Sequence, residues 1–86
     1  MRAESKKNSP EVSEEEVQRY DGAFAARLKG MRDDRGLKRD WVARQIGVHY
    51  NTLKNWELGN AHPGTWELLS LARIYHVEPE EFFKGI

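Results

Sequence analysis

The chain has 86 residues, in which 14 Lys and Arg are balanced by 14 Asp and Glu, so the formal net charge is zero. This balance excludes a protein that binds nucleic acid through a uniformly basic surface, and the length allows one small hydrophobic core. With no Cys, the chain forms neither a disulfide nor a thiolate zinc site. Because no apolar run approaches the ~18 residues of a membrane span, we expect a cytoplasmic protein without a membrane partner.

Charge is unevenly distributed along the chain. Residues 35–60 contain five cations and two anions, a net charge of +3, whereas residues 1–34 carry −1 and residues 61–86 carry −2. The five cations are Arg35, Lys38, Arg39, Arg44 and Lys54. A positive middle segment in a neutral chain favours a polyanionic partner that binds at one place.

The N-terminal segment differs in composition from the rest. Residues 1–20 are predicted to form a flexible N-terminal arm, part of which can be helical, ahead of a domain over residues 21–86. The run from Ser13 to Glu16 fits a capping box, which starts a helix because the Ser and Glu side chains satisfy two free backbone donors. Asp21-Gly22 offers a second helix start.

Apolar spacing predicts an all-α fold with five helices. The first has an apolar face at Phe24, Leu28 and Met31 and ends at Arg35-Gly36, and the second is short and ends at Gly47. The third runs from Val48 to Trp56, the fourth follows Pro63-Gly64, and Pro79 begins the fifth. No segment shows the alternation of a strand.

Residues 39–58 meet the packing requirements of a helix-turn-helix unit. Ala43 is small where two steeply crossing helices approach, and Gly47 lies where the turn needs a left-handed conformation. The apolar positions of the unit are Val42, Ile46, Val48, Leu53 and Trp56.

The third helix has one apolar side, which we expect to include Trp56 in the core, and one polar side. The polar side carries Tyr50, Asn51, Lys54 and Asn55 when residues are placed about 100° apart. Asn can bind N6 and N7 of adenine together, and Lys can reach O6 or N7 of guanine. We therefore predict that these four side chains contact base edges. Solvated surface is the alternative for Lys54 and Asn55, and packing on a partner is the alternative for Tyr50.

The stretch from Ala26 to Phe83 resembles the lambda-repressor-like, Cro-type helix-turn-helix domain, also called the xenobiotic-response-element family. The resemblance is carried by Leu28-Lys29-Gly30-Met31-Arg32, Arg35-Gly36-Leu37, Val42-Ala43-Arg44-Gln45-Ile46-Gly47-Val48, Trp56-Glu57-Leu58-Gly59, Pro63, Leu68-Leu69, Leu71-Ala72 and Val77-Glu78-Pro79-Glu80-Glu81-Phe82. It implies a five-helix domain that places its third helix in the major groove of DNA.

The resemblance also implies roles for single residues. It implies a structural ion pair between Arg32 and Glu57, with Arg32 close to the DNA backbone. The implied phosphate contacts are Arg39, His49, Thr52, Asn60 and Arg32. The chain departs from the family pattern at several positions. Arg39 stands where relatives favour Gln, Asn60-Ala61 where they often have Lys or Arg, and His76 where they often have Gly. Trp41 and Trp66 stand where relatives usually have polar residues.

These observations predict a sequence-specific, double-stranded DNA-binding transcriptional regulator of bacterial or phage origin. We expect a repressor that acts as a homodimer on an inverted repeat, with a dimer seam at Phe82, Phe83 and Ile86. A phage repressor, a restriction–modification controller and an antitoxin remain open. The rival interpretation is a protein–protein interaction module, which the zero net charge and the unexpected Trp41 and Trp66 favour.

No motif predicts an enzyme, a cofactor or a metal. The chain has no Gly-rich phosphate loop and no nucleophile motif. Its three histidines, His49, His62 and His76, fall on different predicted elements without metal-ligand spacing. Trp41 is expected either to pack against Val17 and Tyr20 or to contact a partner, and the role of Trp66 is open.

Overall fold

The computed structural model describes residues 12–86, which fold into four α-helices and one short 3-10 helix. The helices are α1 (Glu14–Asp34), α2 (Arg39–Ile46), α3 (Tyr50–Leu58) and α4 (Thr65–Tyr75), and the 3-10 helix covers Pro79–Phe82. The predicted all-α class is confirmed for this part of the chain. The prediction of a fifth α-helix is wrong, because Pro79 begins only one 3-10 turn before Gly85, at a φ of 76°, leaves the right-handed helical conformation.

The first helix begins at the capping box. Ser13 Oγ accepts a hydrogen bond from the Glu16 amide at 3.1 Å, and Glu16 Oε1 accepts one from the Ser13 amide at 3.0 Å. α1 then continues without a break through Asp21-Gly22, the alternative start. Residues 1–11 of the predicted arm lie outside the described residues. Residues 14–20 of the arm belong to α1 and are helical.

The turn between α2 and α3 depends on a left-handed glycine. Gly47 caps α2 at a φ of 75°, and the Val48 amide donates to the Ala43 carbonyl at 3.0 Å. A residue with a side chain is strained at this φ, whereas glycine is not. The turn lets α3 pack against both α1 and α2, which is the predicted helix-turn-helix arrangement.

The core lies where the four α-helices and the 3-10 helix meet. Its buried side chains are Phe24, Leu28, Val42, Ala43, Leu53, Trp56, Leu71, Ala72, Tyr75 and Phe82. The prediction of a core position for Trp56 is confirmed, since this side chain is 5% exposed. Arg35 joins the ends of α1 and α4 by donating from Nε to the Tyr75 carbonyl at 2.8 Å.

The two adjacent phenylalanines of the C-terminal turn have different environments. Phe82 is fully buried and meets the Phe24 ring edge-on, with centroids 6.5 Å apart, so its assignment to a dimer seam is wrong. The 3-10 turn directs it inward, where it completes the core. Phe83 is 54% exposed and stacks on Phe24 at 5.4 Å, while Ile86 is partly buried against the core.

Trp41 is partly exposed, and so are Val17 and Tyr20, the two side chains against which it is predicted to pack. Their exposed fractions are 40%, 43% and 41%, so the packing of Trp41 on them stays a prediction, as does its contact with a partner. Trp66 is 77% exposed on α4. Both tryptophans therefore remain large apolar side chains at the surface.

Candidate DNA-binding surface

The third helix presents two chemically different faces. Leu53, Trp56 and Glu57 on its inner face are buried, whereas the four side chains predicted to read bases are exposed on the other face. Those four are Tyr50, Asn51, Lys54 and Asn55. The outer face of α3 is therefore an exposed row of an aromatic hydroxyl, two amides and one ammonium.

A buried carboxylate holds α3 against the rest of the domain. Glu57 has a fully buried side chain, and both of its oxygens accept from Arg32: Nε donates to Oε2 at 2.7 Å and Nη2 donates to Oε1 at 2.9 Å. Arg39 Nε donates to Oε1 as well, at 2.9 Å. We call these three residues the Glu57 cluster. Because Arg39 and Glu57 come from α2 and α3 and Arg32 comes from α1, the cluster joins both helices of the helix-turn-helix unit to the first helix of the domain.

Arg32 is a structural residue of this cluster. Its side chain is 9% exposed, and Nη1 donates to the Leu37 carbonyl at 2.9 Å. The hydrogen bond to Glu57 raises the pKa of Arg32 above its ordinary value, although burial acts against this shift. Each of its three nitrogens is already bonded inside the protein, so the structure does not support the implied phosphate contact of Arg32.

Arg39 lies between the buried cluster and the outer face of α3. Besides its bond to Glu57, its Nη1 donates to the Tyr50 hydroxyl at 3.0 Å, and its guanidinium carbon lies 5.5 Å from the centroid of the Tyr50 ring. Burial opposes the charge of Arg39, but hydrogen bonds to Tyr50 and Glu57 raise its pKa. Sequence reasoning missed both contacts, since it paired Glu57 with Arg32 alone.

The other predicted phosphate contacts lie around the ends of α3. His49 is the exposed N-cap residue, and its carbonyl accepts from the Thr52 amide at 3.0 Å while its ring makes no capping bond. Thr52 is half-buried and Asn60 is exposed. Asn60 Nδ2 approaches Asn55 Oδ1 at 3.4 Å, a long contact that leaves both amides able to bind elsewhere.

The exposed cations nearby are few. On α2, Arg44 pairs loosely with Asp40 at 3.7 Å, and its side chain is 66% exposed. Lys38 and Lys54 are also exposed. Arg35 is engaged by two backbone carbonyls, those of Met31 and Tyr75, so the positive segment offers fewer mobile charges than the sequence count suggests.

This geometry agrees with the outcome of comparisons with known proteins. Residues 23–82 match the model of a family described as a helix-turn-helix domain. The chain belongs to this helix-turn-helix family. A comparison with curated proteins gives no match.

Two solved structures are similar to this helix-turn-helix domain. The restriction-modification controller protein C.AhdI from Aeromonas hydrophila superposes with a TM-score of 0.69 at 27% identity, over 73% of this chain and 96% of that one. An HTH_3 family transcriptional regulator from Vibrio cholerae superposes with a TM-score of 0.68 at 28% identity, over 78% of this chain. The matched region covers 38% of the Vibrio chain.

The family match begins after the first turns of α1. Residues 14–22 of this helix precede the matched region, and two of them, Tyr20 and Asp21, line a groove of about 420 Å³. The apolar side chains of the groove include Tyr20, Phe24, Leu68, Phe83 and Ile86, and His62 Nε2 lies 2.7 Å from Asp21 Oδ1 at its edge. Two of the three residues predicted for a dimer seam therefore line one groove. Within residues 12–86, no helix combines the length and apolar character that crossing a membrane requires.

Proposed function

We propose that this helix-turn-helix domain is a sequence-specific double-stranded DNA-binding regulator of transcription. The observation that carries the proposal is the outer face of α3, where Tyr50, Asn51, Lys54 and Asn55 are exposed while the inner face is held by the Glu57 cluster. An α-helix fits the major groove of B-DNA, and this face then meets the base edges.

The chemistry of these side chains suits base recognition. Each of the two amides offers an acceptor and two donors, which match N6 and N7 of adenine. The Lys54 ammonium can donate to guanine or to a phosphate. An interaction module would have no need of adjacent amides on a rigid, exposed helix face, so the structure favours DNA over a protein partner.

The contacts with the DNA backbone surround this face. We assign phosphate contacts to Arg39, His49, Thr52 and Asn60. We remove Arg32 from that set because its side chain is only 9% exposed and each of its nitrogens already donates to Glu57 or Leu37. His49 and Thr52 lie at the N-terminal end of α3, where the helix macrodipole favours an anion.

We further propose a bacterial or phage-encoded repressor that acts in the cytoplasm by occupying its site as a homodimer. One recognition helix contacts few base pairs, and two copies on an inverted repeat double the contacted sequence. The dimer seam that we now propose is the groove lined by Phe83, Ile86, Tyr20 and Leu68, without the buried Phe82. This groove is apolar, and Phe83 is more than half exposed.

Selection from a random pool of duplex DNA at near-physiological salt tests the proposal. We expect enrichment of an inverted repeat with half-site centres about 10 base pairs apart. Enrichment of a single half-site would contradict the dimer while supporting base recognition. Absence of enrichment by the folded protein would contradict DNA recognition and favour an interaction module, with Trp41 and Trp66 as the surface to examine.

A further inference from the structure

The hydroxyl of Tyr50 is constrained by its contact with Arg39. Arg39 Nη1 donates to the Tyr50 oxygen at 3.0 Å. A guanidinium has donors and no acceptor, so the Tyr50 oxygen is the acceptor in this contact. The proton of the Tyr50 hydroxyl must therefore point away from Arg39.

Arg39 is itself held from inside the protein. Its Nε donates to Oε1 of Glu57 at 2.9 Å, and the Glu57 side chain is fully buried and bonded to Arg32 on its other side. The planar guanidinium binds Glu57 and Tyr50 with different nitrogens, so its orientation is fixed by the buried partner. The direction imposed on the Tyr50 hydroxyl thus originates in the Glu57 cluster.

Tyr50 is placed to use this hydroxyl on a ligand. It is the first residue of α3 and is 43% exposed, next to the exposed Asn51. Its ring is covered on one side by Arg39. The free donor of the hydroxyl therefore lies at the N-terminal end of the face that we assign to base contacts.

Resting on the proposed function, we infer that Tyr50 acts as a hydrogen-bond donor to one base of each half-site and that Arg39 is the positioning residue that sets this polarity. In the major groove, guanine presents N7 and O6, adenine presents N7 and thymine presents O4 as acceptors. Cytosine presents the N4 amino group, which is a donor. The Tyr50 hydroxyl can therefore donate to guanine, adenine or thymine at this position, whereas cytosine offers it no acceptor.

A set of duplexes that differ by one base pair from the selected site tests this inference. Affinities are measured for the wild type, Tyr50→Phe, Arg39→Lys and the control Arg44→Lys. Phe keeps the ring and removes the donor. Lys at position 39 keeps the charge, but its single nitrogen cannot bond Glu57 and Tyr50 as two nitrogens of Arg39 do. Arg44 is an exposed Arg on the same helix, outside the Glu57 cluster.

We expect one position at which cytosine weakens wild-type binding by roughly three- to tenfold, the effect of one hydrogen bond and its unpaired groups. Tyr50→Phe should remove this contrast at that position alone. Arg39→Lys should reduce it, because the Tyr50 hydroxyl regains freedom to accept from the cytosine amino group. Arg44→Lys should leave the base profile unchanged. Thermal unfolding of each variant confirms that it is folded.

Two other results would overturn the inference in distinguishable ways. If the wild type discriminates bases but Tyr50→Phe keeps the same profile, the donor role of Tyr50 is wrong and the proposed function stands. If the folded wild type binds all the duplexes equally, base recognition itself is wrong and the role of Tyr50 falls with it.

Discussion

Glu57 on α3 accepts hydrogen bonds from Arg32 on α1 through both carboxylate oxygens, at 2.7 and 2.9 Å, and the two side chains are 0% and 9% exposed. A buried ion pair adds little stability relative to well-packed apolar side chains, because both charges lose their hydration. Its geometry is nevertheless directional. The pair therefore sets the position of the proposed recognition helix relative to α1, and through Arg39 relative to α2.

Removing the charge of Glu57 should destabilise the protein strongly. Glu57→Gln leaves Arg32 and Arg39 without their carboxylate, and we expect a loss of about 3–5 kcal/mol in the free energy of unfolding, the usual effect of breaking a buried pair. Urea denaturation measures it. The control is Asp40→Asn, which removes an exposed carboxylate that pairs with Arg44 at 3.7 Å and should change stability little. Equal losses in the two variants would contradict a special role of Glu57.

Tyr75 should make stability depend on alkaline pH. Its hydroxyl is buried without a hydrogen-bond partner among residues 12–86, and burial raises the pKa of Tyr75 above its ordinary value. Since the folded state holds this proton more tightly than the unfolded state, the stabilisation is complete below pH ~10, the pKa of an unperturbed tyrosine, and declines above it.

Tyr75→Phe should therefore be neutral or stabilising at pH 7, because it removes a buried polar group that has no partner. Above pH ~10 the variant should lose less stability than the wild type. Only the wild type has a buried hydroxyl that ionises more readily in the unfolded chain than in the folded protein. Denaturant midpoints at several pH values test this. A variant that is destabilised at pH 7 by the cost of a lost hydrogen bond would show that the hydroxyl has a partner.

His76 should be replaceable by glycine with a gain in stability. It caps α4 at a φ of 58° and is the only described non-glycine residue with positive φ. Left-handed backbone costs a residue with a side chain roughly 1–2 kcal/mol, so His76→Gly should recover about 1 kcal/mol after the added freedom of the unfolded chain is counted.

The reverse change at the helix-turn-helix turn is the control. Gly47 has a φ of 75°, and a Cβ there would meet no atom within 4 Å. Gly47→Ala should thus cost only the backbone strain, about 1–2 kcal/mol. Thermal unfolding of both variants gives the comparison. A destabilised His76→Gly would indicate that the imidazole makes contacts that exceed the strain.

Asn55 should contribute to base discrimination. Asn55→Ala removes an exposed amide from the outer face of α3, and we expect a loss of about 1–3 kcal/mol of discrimination at one base position. Binding to non-specific DNA should survive, because the phosphate contacts remain. Gln18→Ala, which removes an exposed amide from α1 before the family match, is the control. An identical effect of both variants on the selected site would contradict the assignment of Asn55.

The proposed dimer seam can be separated from the exposed tryptophan on α4. Phe83→Glu introduces a charge into the apolar groove, and we expect sedimentation equilibrium to show a monomer where the wild type is a dimer. Trp66→Glu changes a more exposed side chain, at 77% against 54%, and should leave the dimer intact. If Trp66→Glu dissociates the dimer and Phe83→Glu does not, the proposed seam is wrong and the dimer contact lies on the outer face of α4.

The local elements of this fold could be predicted because their signals lie close together in the chain. The capping box at Ser13 and the left-handed Gly47 determine helix ends through contacts within a few residues. The apolar period of α3 identifies Leu53 and Trp56 as its buried face, and the same period leaves Asn51, Lys54 and Asn55 on the exposed face.

Contacts between distant residues could not be predicted in the same way. Phe82 and Phe83 are adjacent and chemically identical, and only the 3-10 turn decided that Phe82 fills the core while Phe83 stays exposed. The bond from Arg39 to Glu57 joins residues 18 positions apart, and no pattern in the chain selects it over a phosphate contact. The phosphate contact of Arg39 is predicted from its position in a family motif, and that position carries no information about the hydrogen bonds of Arg39 within the protein.

The sequence by itself therefore determined the all-α class, the helix-turn-helix unit and which side of α3 faces solvent, because periodicity and local hydrogen bonds decide these features. The tertiary structure alone decided that Arg32 is withdrawn from the surface, that Phe82 belongs to the core and that Arg39 orients Tyr50. These depend on which side chains from separate helices reach the same buried carboxylate or the same apolar space, and packing settles that only when all the helices are in place.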